Sequence, residues 1–201
     1  MNLRKYFIMG SQDCERPPED ILEEAAKAGI TAFQFREKGK RSLIGTEKLA
    51  LGRRLRNICA RHNILFFIND DIDLAKPLEV DGIHIGQDDR PLEEVRELFP
   101  DKIIGLSVSN QTEVDNSPIQ LADYLGAGPI FATSTKVDAK QSVGPEWIRT
   151  LKYQYPTMPI VGIGGIHEQN AAAVIEAGAD GVAVISAITG ANSIEGVVKK
   201  I

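Results

Sequence analysis

One phrase recurs along the chain and limits its fold more than any other feature: the end of an amphipathic helix, a Gly or Asp, and at once a short apolar strand. It stands at Ala28-Gly29-Ile30-Thr31-Ala32-Phe33, Val80-Asp81-Gly82-Ile83-His84-Ile85, Ala122-Asp123-Tyr124-Leu125-Gly126-Ala127 and Ala179-Asp180-Gly181-Val182-Ala183-Val184. Gly or Asp after a helix is C-cap and tight-turn chemistry, and the strand that follows is too apolar to keep one face wet. A chain built on that phrase is a parallel βα array.

The same rule places strands at Arg4 to Met9, Ile30 to Phe35, Ile64 to Ile68, Gly82 to Ile85, Ile103 to Val108, Tyr124 to Ala127, Ile160 to Ile163 and Gly181 to Ile185. Helices are expected at Pro17 to Ala28, Glu47 to His62, Pro91 to Phe99, Pro145 to Tyr155 and Gln169 to Ala177, several opening with the Pro that a first turn tolerates. The stretches after the third, fifth and eighth strands are short or weakly patterned, and the last helix, Ser193 to Ile201, is barely two turns long. Eight alternating units favour one closed (β/α)8 TIM barrel of the α/β class over an open doubly wound sheet. With 201 residues the barrel is small, so residues 1–201 are expected to form a single domain with tight loops and no inserted domain.

Composition narrows the partners. With 23 Lys and Arg against 28 Asp and Glu the net charge is −5, and no basic stripe exists beyond Arg53, Arg54 and Arg56, which read as the solvated face of a helix. Nucleic-acid binding is therefore not expected. Cys14 and Cys59 have no CxxC spacing, so neither a disulfide framework nor a zinc site follows, which fits a reducing compartment. The apolar run Tyr6 to Met9 is too short for a signal-peptide core and no stretch is long enough to span a membrane, so a cytoplasmic protein is expected.

In such barrels the chemistry sits at the carboxyl ends of the strands. The second strand ends Gln34-Phe35-Arg36-Glu37-Lys38, and strand alternation turns Gln34, Arg36 and Lys38 one way and Phe33, Phe35 and Glu37 the other. Two inward cations two residues apart suit a multiply charged anion, unless Arg36 simply pairs with Glu37 or another acid. The third strand runs into Asn69 and Asp70 and the fourth into Gly86-Gln87-Asp88-Asp89. Neighbouring strands lie about 4.8 Å apart, so Asp70 and Asp89 can converge on one hard cation, Mg²⁺ rather than zinc, while Asp71, Asp73 and Asp88 read as turn and cap residues. Ser107 ends the fifth strand without a GxSxG context, and a long polar stretch follows the sixth. Gly162-Ile163-Gly164-Gly165 and Ile185-Ser186 follow the seventh and eighth strands, where barrels often hold phosphate, although a tight turn alone would also use those glycines. His62 and His167 bound helices and His84 lines the core or barrel, so no general base stands out.

Taken in order, Tyr6-Phe7-Ile8-Met9-Gly10, Gln34 to Lys38, Asn69-Asp70, Asp81 to Gln87, Gly128-Pro129-Ile130-Phe131 and Gly162 to Ile166 resemble the thiamine phosphate synthase family over nearly the whole chain. The resemblance implies a transferase that joins aminohydroxymethylpyrimidine pyrophosphate to thiazole phosphate with Mg²⁺, releasing pyrophosphate. It places pyrophosphate at Gln34, Arg36, Lys38, Asn69, Ser107 and Lys136, the metal at Asp70 and Asp89, and thiazole phosphate at Thr133, Thr135, Gly165, Ile185 and Ser186. Phe35, Glu37 and Ser134 fall within the same substrate-binding stretches. Arg36, Lys38, Ser107 and Lys136 are the residues expected to carry catalysis. The departing pyrophosphate needs cations around it, and the thiazole nitrogen is already unprotonated, which accounts for the missing histidine base.

Val108-Ser109-Asn110 departs from the family's commoner pattern of a small residue, His and Thr, and the carboxyl terminus is short, which leaves a homo-oligomer contact open. Two other readings compete: a thiazole tautomerase on the same barrel, and a non-catalytic phosphate-ligand-binding barrel. Arg36, Lys38, Asp70, Asp89 and Lys136 together favour the synthase.

Overall fold

Short runs of β-branched and aromatic residues form the parallel strands β1 (Lys5–Met9), β2 (Ala32–Phe35), β3 (Leu65–Asn69), β4 (Gly82–Ile85), β5 (Ile103–Val108), β6 (Tyr124–Ala127), β7 (Ile160–Ile163) and β8 (Gly181–Val184). Each pairs with the next and β8 returns to β1, so the sheet closes into a barrel in chain order. The computed structural model describes residues 1–133 and 141–201. Around the strands lie α1 (Pro18–Ala28), α2 (Gly45–Arg61), α3 (Leu92–Leu98), α4 (Gln111–Asp115), α5 (Glu146–Gln154), α6 (Ala171–Glu176), α7 (Ser186–Thr189) and α8 (Ile194–Lys200). Helix α1 follows the N-terminal rules closely: Pro at its start, Glu19 and Asp20 in the first turn, Lys27 in the last, and Gly29 closing it at φ 99°.

The weakly patterned stretches are the irregular ones. After β3 the chain makes only a 3₁₀ turn, Ile72–Leu74, and after β5 the short α4 gives way to a second 3₁₀ turn, Ile119–Leu121. Pro77 and Pro118 remove backbone donors in these two stretches, which discourages longer helices. The Ser109-Asn110 departure is helix-cap chemistry. Asn110 Oδ1 accepts the Glu113 N–H (2.9 Å), while the Glu113 carboxylate takes the Ser109 N–H and Asn110 Nδ2–H, both at 2.8 Å.

The recurring phrase marks four equivalent fastenings at the amino end of the barrel. Thr31, Asp81, Asp123 and Asp180 each stand just before an even-numbered strand, and each exchanges two hydrogen bonds with one residue of the preceding odd-numbered strand. Their backbone N–H groups donate to the carbonyls of Lys5, Phe66, Ile104 and Ile160 at 2.7–2.9 Å. Their side-chain oxygens accept the N–H groups of the same four residues at 2.7–3.0 Å. The three aspartates also meet cations from the helices that precede them: Arg56 with Asp81 (3.8 Å), Arg96 with Asp123 (2.6 Å) and Lys152 with Asp180 (2.7 Å). The barrel is thus a fourfold repeat of two βα units. Because Thr31 is spent on this fastening, β2 starts at Ala32 rather than Ile30.

Two apolar layers result. Phe7, Phe33, Phe35, Phe66 and their neighbours pack outward against the helices, while Tyr6, Ile8, Phe67, Tyr124, Val161 and Ala183 fill the barrel. The interior has room for large rings because strands β4 and β5 carry glycines where rings lie: a Cβ on Gly82 would sit 2.4 Å from Phe67 Cε1, and one on Gly105 2.1 Å from Tyr124 Cζ. Among the described residues no helix is long and apolar enough to cross a membrane.

Candidate active site

The carboxyl ends of the strands surround a cavity of about 240 Å³ whose wall includes Arg36, Lys38, Asn69, Asp70, Asp89 and Ser107 on one side and Thr133, Gly165, Ile185 and Ser186 on the other. Its floor is a polar column inside the barrel. Gln34 Nε2–H donates to Tyr6 Oη (3.0 Å), Tyr6 and Tyr124 share a hydrogen bond (3.0 Å), and His84 Nδ1 meets Tyr124 Oη (2.9 Å) while its Nε2 meets Ser107 Oγ (2.8 Å). One orientation satisfies the whole column: each tyrosine donates onward, Tyr124 to Nδ1, and His84 carries its proton on Nε2 and donates to Ser107. Burial pushes both phenols well above the ordinary tyrosine range, so Tyr6 and Tyr124 stay un-ionised.

Strand alternation at the end of β2 is as the sequence suggests, with one consequence for each residue. Phe35 is buried in the outer layer and away from the cavity. Gln34 faces inward but lies below the cavity, in the column. Arg36 is only 9% exposed, lines the cavity, and its guanidinium has no hydrogen bond or ion pair among the described residues. It does not pair with Glu37, whose carboxylate turns backward to accept from Ser11 and Leu43. Glu37 is therefore no part of the cavity wall.

Lys38 points forward into a pair of carboxylates. Its Nζ binds Asp70 Oδ2 and lies 3.8 Å from Asp89 Oδ1. Asp70 adopts the left-handed conformation at φ 58°, which Asp tolerates better than most residues, and this turns its carboxyl toward Asp89. Asp89 is held by the Gly86 N–H (2.7 Å). Burial and the adjacent Asp89 raise the Asp70 carboxyl above the ordinary range. Asp89, despite its own burial, is held below it by Asp70, the Gly86 N–H and Lys38. Lys38, despite partial burial, is carried above its ordinary value by Asp70. Among the described residues no third His, Cys, Asp or Glu joins these two into a larger metal-binding cluster.

The opposite wall is made by close backbone packing. Ile130 N–H donates to Ile163 O (2.8 Å) and Phe131 N–H to Gly164 O (3.1 Å), extending the β6–β7 pairing past the barrel rim. Val143 and Gly144 then return their N–H groups to Pro129 and Ile130 carbonyls at 2.9 and 3.0 Å, closing the long connection at its base. Gly164 and Gly165, at φ 85° and 67°, allow this approach: a Cβ would stand 2.5 Å from Pro129 Cβ and 2.6 Å from Ala132 O, respectively. Ser134, Thr135 and Lys136 lie outside the described residues.

A sequence profile described as thiamine monophosphate synthase matches residues 5–188. The chain belongs to that family. Thiamine-phosphate synthase of Oceanobacillus iheyensis is 63% identical over 187 residues, covering 93% of this chain and 91% of that protein. Thiamine-phosphate synthase of Geobacillus kaustophilus is 51% identical, covering 95% and 86%. Thiamine phosphate pyrophosphorylase from Pyrococcus furiosus superposes with a TM-score of 0.85 at 34% identity, over 98% of this chain and 93% of that one. Phosphoribosyl anthranilate isomerase from Thermotoga maritima, at 14% identity and a TM-score of 0.70, shares the barrel alone. As a member of the family the chain is an enzyme, a thiamine phosphate synthase and so a transferase of thiamine biosynthesis. Sequence reasoning missed the joint role of Tyr6, Tyr124 and His84 in the floor; the signal available was large polar rings at inward positions of strands whose neighbours carry glycine.

Proposed function

We propose that this synthase joins aminohydroxymethylpyrimidine pyrophosphate to thiazole phosphate, with the pyrophosphate at Arg36 and Lys38, the pyrimidine over the His84–Ser107 floor and the thiazole phosphate against Gly165 and Ser186. The observation that carries this reading is Arg36: a nearly buried guanidinium without a carboxylate partner among the described residues, facing a cavity beside a second cation. A buried charge left unpaired is costly, so such a residue calls for a ligand of opposite sign.

The reaction requires little of the protein beyond charge and placement. The bond from the pyrimidine's methylene carbon to pyrophosphate oxygen breaks with its electron pair leaving on pyrophosphate. The thiazole nitrogen then supplies the pair for the new carbon–nitrogen bond, and no proton moves. Arg36 and Lys38 face the charge that develops on the leaving group. Ser107, accepting from His84, keeps its own hydroxyl proton to donate to the pyrimidine side. The column beneath, its phenol and imidazole groups engaged in hydrogen bonds, offers no strong nucleophile to trap a cationic intermediate.

Asp70 and Asp89 would hold Mg²⁺. Two hard oxygen donors that meet at one wall of the cavity fit an ion usually bound by one or two carboxylates with substrate phosphates completing its shell. When bound, the ion supplies further positive charge to the departing pyrophosphate. Incubating the protein with both substrates and Mg²⁺ should yield thiamine phosphate and pyrophosphate in equal amounts. Isomerisation of a thiazole carboxylate without pyrophosphate release would favour the tautomerase instead, and undiminished synthesis after thorough chelation would remove the metal.

A further inference from the structure

Glu37 lies between the two cations of the β2 tip and faces away from them. Its side chain is 6% exposed and meets no cation among the described residues. Three neutral donors satisfy it: the Ser11 N–H at 2.8 Å, the Ser11 hydroxyl at 2.5 Å and the Leu43 N–H at 2.6 Å. Ser11 belongs to the connection between β1 and α1, and Leu43 to the one between β2 and α2. A single carboxylate therefore joins two loops behind the strand tip. It contributes nothing to barrel closure, because the pairing of β2 ends at Phe35.

The geometry of an extended chain gives this tie a consequence. Successive side chains point to opposite sides, so fixing one residue backward fixes both its neighbours forward. Arg36 has supports of its own: its N–H donates to Met9 O (3.0 Å) and its carbonyl accepts Gln12 Nε2–H (2.8 Å). Lys38 makes no backbone hydrogen bond among the described residues, and Gly39 follows it at φ 103°. The direction of Lys38 above all thus depends on Glu37, which supplements the bonds that already hold Arg36.

We propose that Glu37 is a positioning residue of the pyrophosphate subsite, tying the two connections together so that Arg36 and Lys38 already point into the cavity when the anion arrives. This rests on the reading that Arg36 and Lys38 hold pyrophosphate. It gives Glu37 a role in the reaction without contact to any substrate. Preorganisation of this kind acts on affinity and rate together, since a displacement of about 1 Å can cost about 10²-fold.

The test is calorimetric titration of inorganic pyrophosphate with Mg²⁺, and separately of thiazole phosphate, into wild type, Glu37→Ala, Glu37→Gln, the Arg36→Ala/Lys38→Ala double variant and the triple variant that adds Glu37→Ala. Glu37→Ala should weaken pyrophosphate binding by about 10- to 100-fold and thiazole phosphate by less than about threefold, with Glu37→Gln between it and wild type. In the background lacking both cations, Glu37→Ala should change residual pyrophosphate binding by less than about threefold, because groups acting through one another are not additive. Equal weakening of both ligands, no weakening, or a full effect in the cation-free background each overturns the proposal. Should Glu37→Ala fail to fold, Glu37→Gln and Ser11→Ala, which removes only the hydroxyl donor, carry the same comparison. If the Arg36→Ala/Lys38→Ala variant binds pyrophosphate as wild type does, it is the subsite reading that fails, whatever Glu37 does.

Discussion

Gly105→Ala is a one-carbon change that tests whether the polar column supports the pyrimidine side of the site. Gly105 pairs with Tyr124 across the β5–β6 ladder, and its added methyl would lie 2.1 Å from Tyr124 Cζ and 2.5 Å from Tyr124 Oη. An ordinary carbon contact needs about 3.5–4.0 Å, so the ring must withdraw by roughly 1.5 Å. It has nowhere easy to go: Tyr124 is fully buried, with Phe67 edge-on at 5.9 Å and His84 at 5.6 Å between ring centroids. A movement of that size breaks the hydrogen bonds to Tyr6 (3.0 Å) and His84 (2.9 Å). Overpacking costs about 1–3 kcal/mol and a buried polar group left without its partner about as much again, so a loss near ~3 kcal/mol is expected. For a chain of this size that lowers Tm by about 6–12 °C. His84, released from Tyr124, no longer aims Nε2 at Ser107. KM for the pyrimidine pyrophosphate should therefore rise while thiazole phosphate affinity holds. Differential scanning calorimetry and steady-state kinetics with each substrate varied would check both parts. A variant that melts with wild type and keeps its pyrimidine KM would refute the argument, because the methyl would then have been accommodated without disturbing the column.

Gly165→Val should raise the thiazole phosphate KM, since its side chain would drive into Ala132 O and Phe131 at 2.6 and 2.8 Å and push the wall outward; calorimetry showing loss of the pyrimidine substrate instead would reverse the two subsites. Asp70→Ala should sharply reduce turnover, with partial recovery at high Mg²⁺. In wild type, Mg²⁺ affinity should fall as pH drops through the raised Asp70 value, higher than for an ordinary carboxylate, because the ion must displace that proton; titrations at successive pH values would show it. Asp123→Ala should cost about 2 kcal/mol, or about 4–8 °C in Tm, by depriving the Ile104 N–H of its side-chain acceptor and Arg96 of its carboxylate partner, with kcat unaltered at the far end of the barrel. Arg36→Met should raise the Tm of the ligand-free protein by a few degrees while abolishing the further rise that pyrophosphate gives to wild type; a fall in Tm would mean that the guanidinium is well solvated where it stands.

The barrel was legible because its repeat is local. A helix end, a turn residue and an apolar strand lie within six residues, and each obeys rules of capping and burial that need no tertiary information. What the repeat did not disclose is that its polar member is a fastening between strands, so the start of β2 was placed two residues early, at Ile30. The cavity rim was legible for a similar reason, since alternation along Gln34 to Lys38 depends on neighbours alone. The floor was not. Tyr6 and Tyr124 are separated by 118 residues and His84 from Tyr124 by 40, and periodicity reveals that each faces inward without saying which of them meet. Glu37 shows the opposite error: alternation pointed it away from the cavity, and only its place in a family motif put it among the substrate-binding residues.

The two ends of the barrel use the same chemical groups to different ends. At the amino end Asp81, Asp123 and Asp180 each receive a strand N–H and a helix cation, so the charge is satisfied within the fold and strengthens it. At the carboxyl end Asp70 and Asp89 crowd together with one lysine between them, and the Arg36 guanidinium makes no ion pair among the described residues. Like charges held close and a cation held dry are both unfavourable in the free protein, and such strain persists only where the surrounding structure enforces it. Here the enforcement is visible: the left-handed turn at Asp70, the Gly86 N–H on Asp89 and the Glu37 tie behind Arg36 and Lys38. A ligand that brings negative charge to Arg36 and Lys38 relieves part of that cost on binding. On the proposed reading, in which pyrophosphate leaves at these two cations, the relief would grow as the leaving group gathers charge, so the site would favour the departing group more than the bound substrate, as catalysis by differential binding requires.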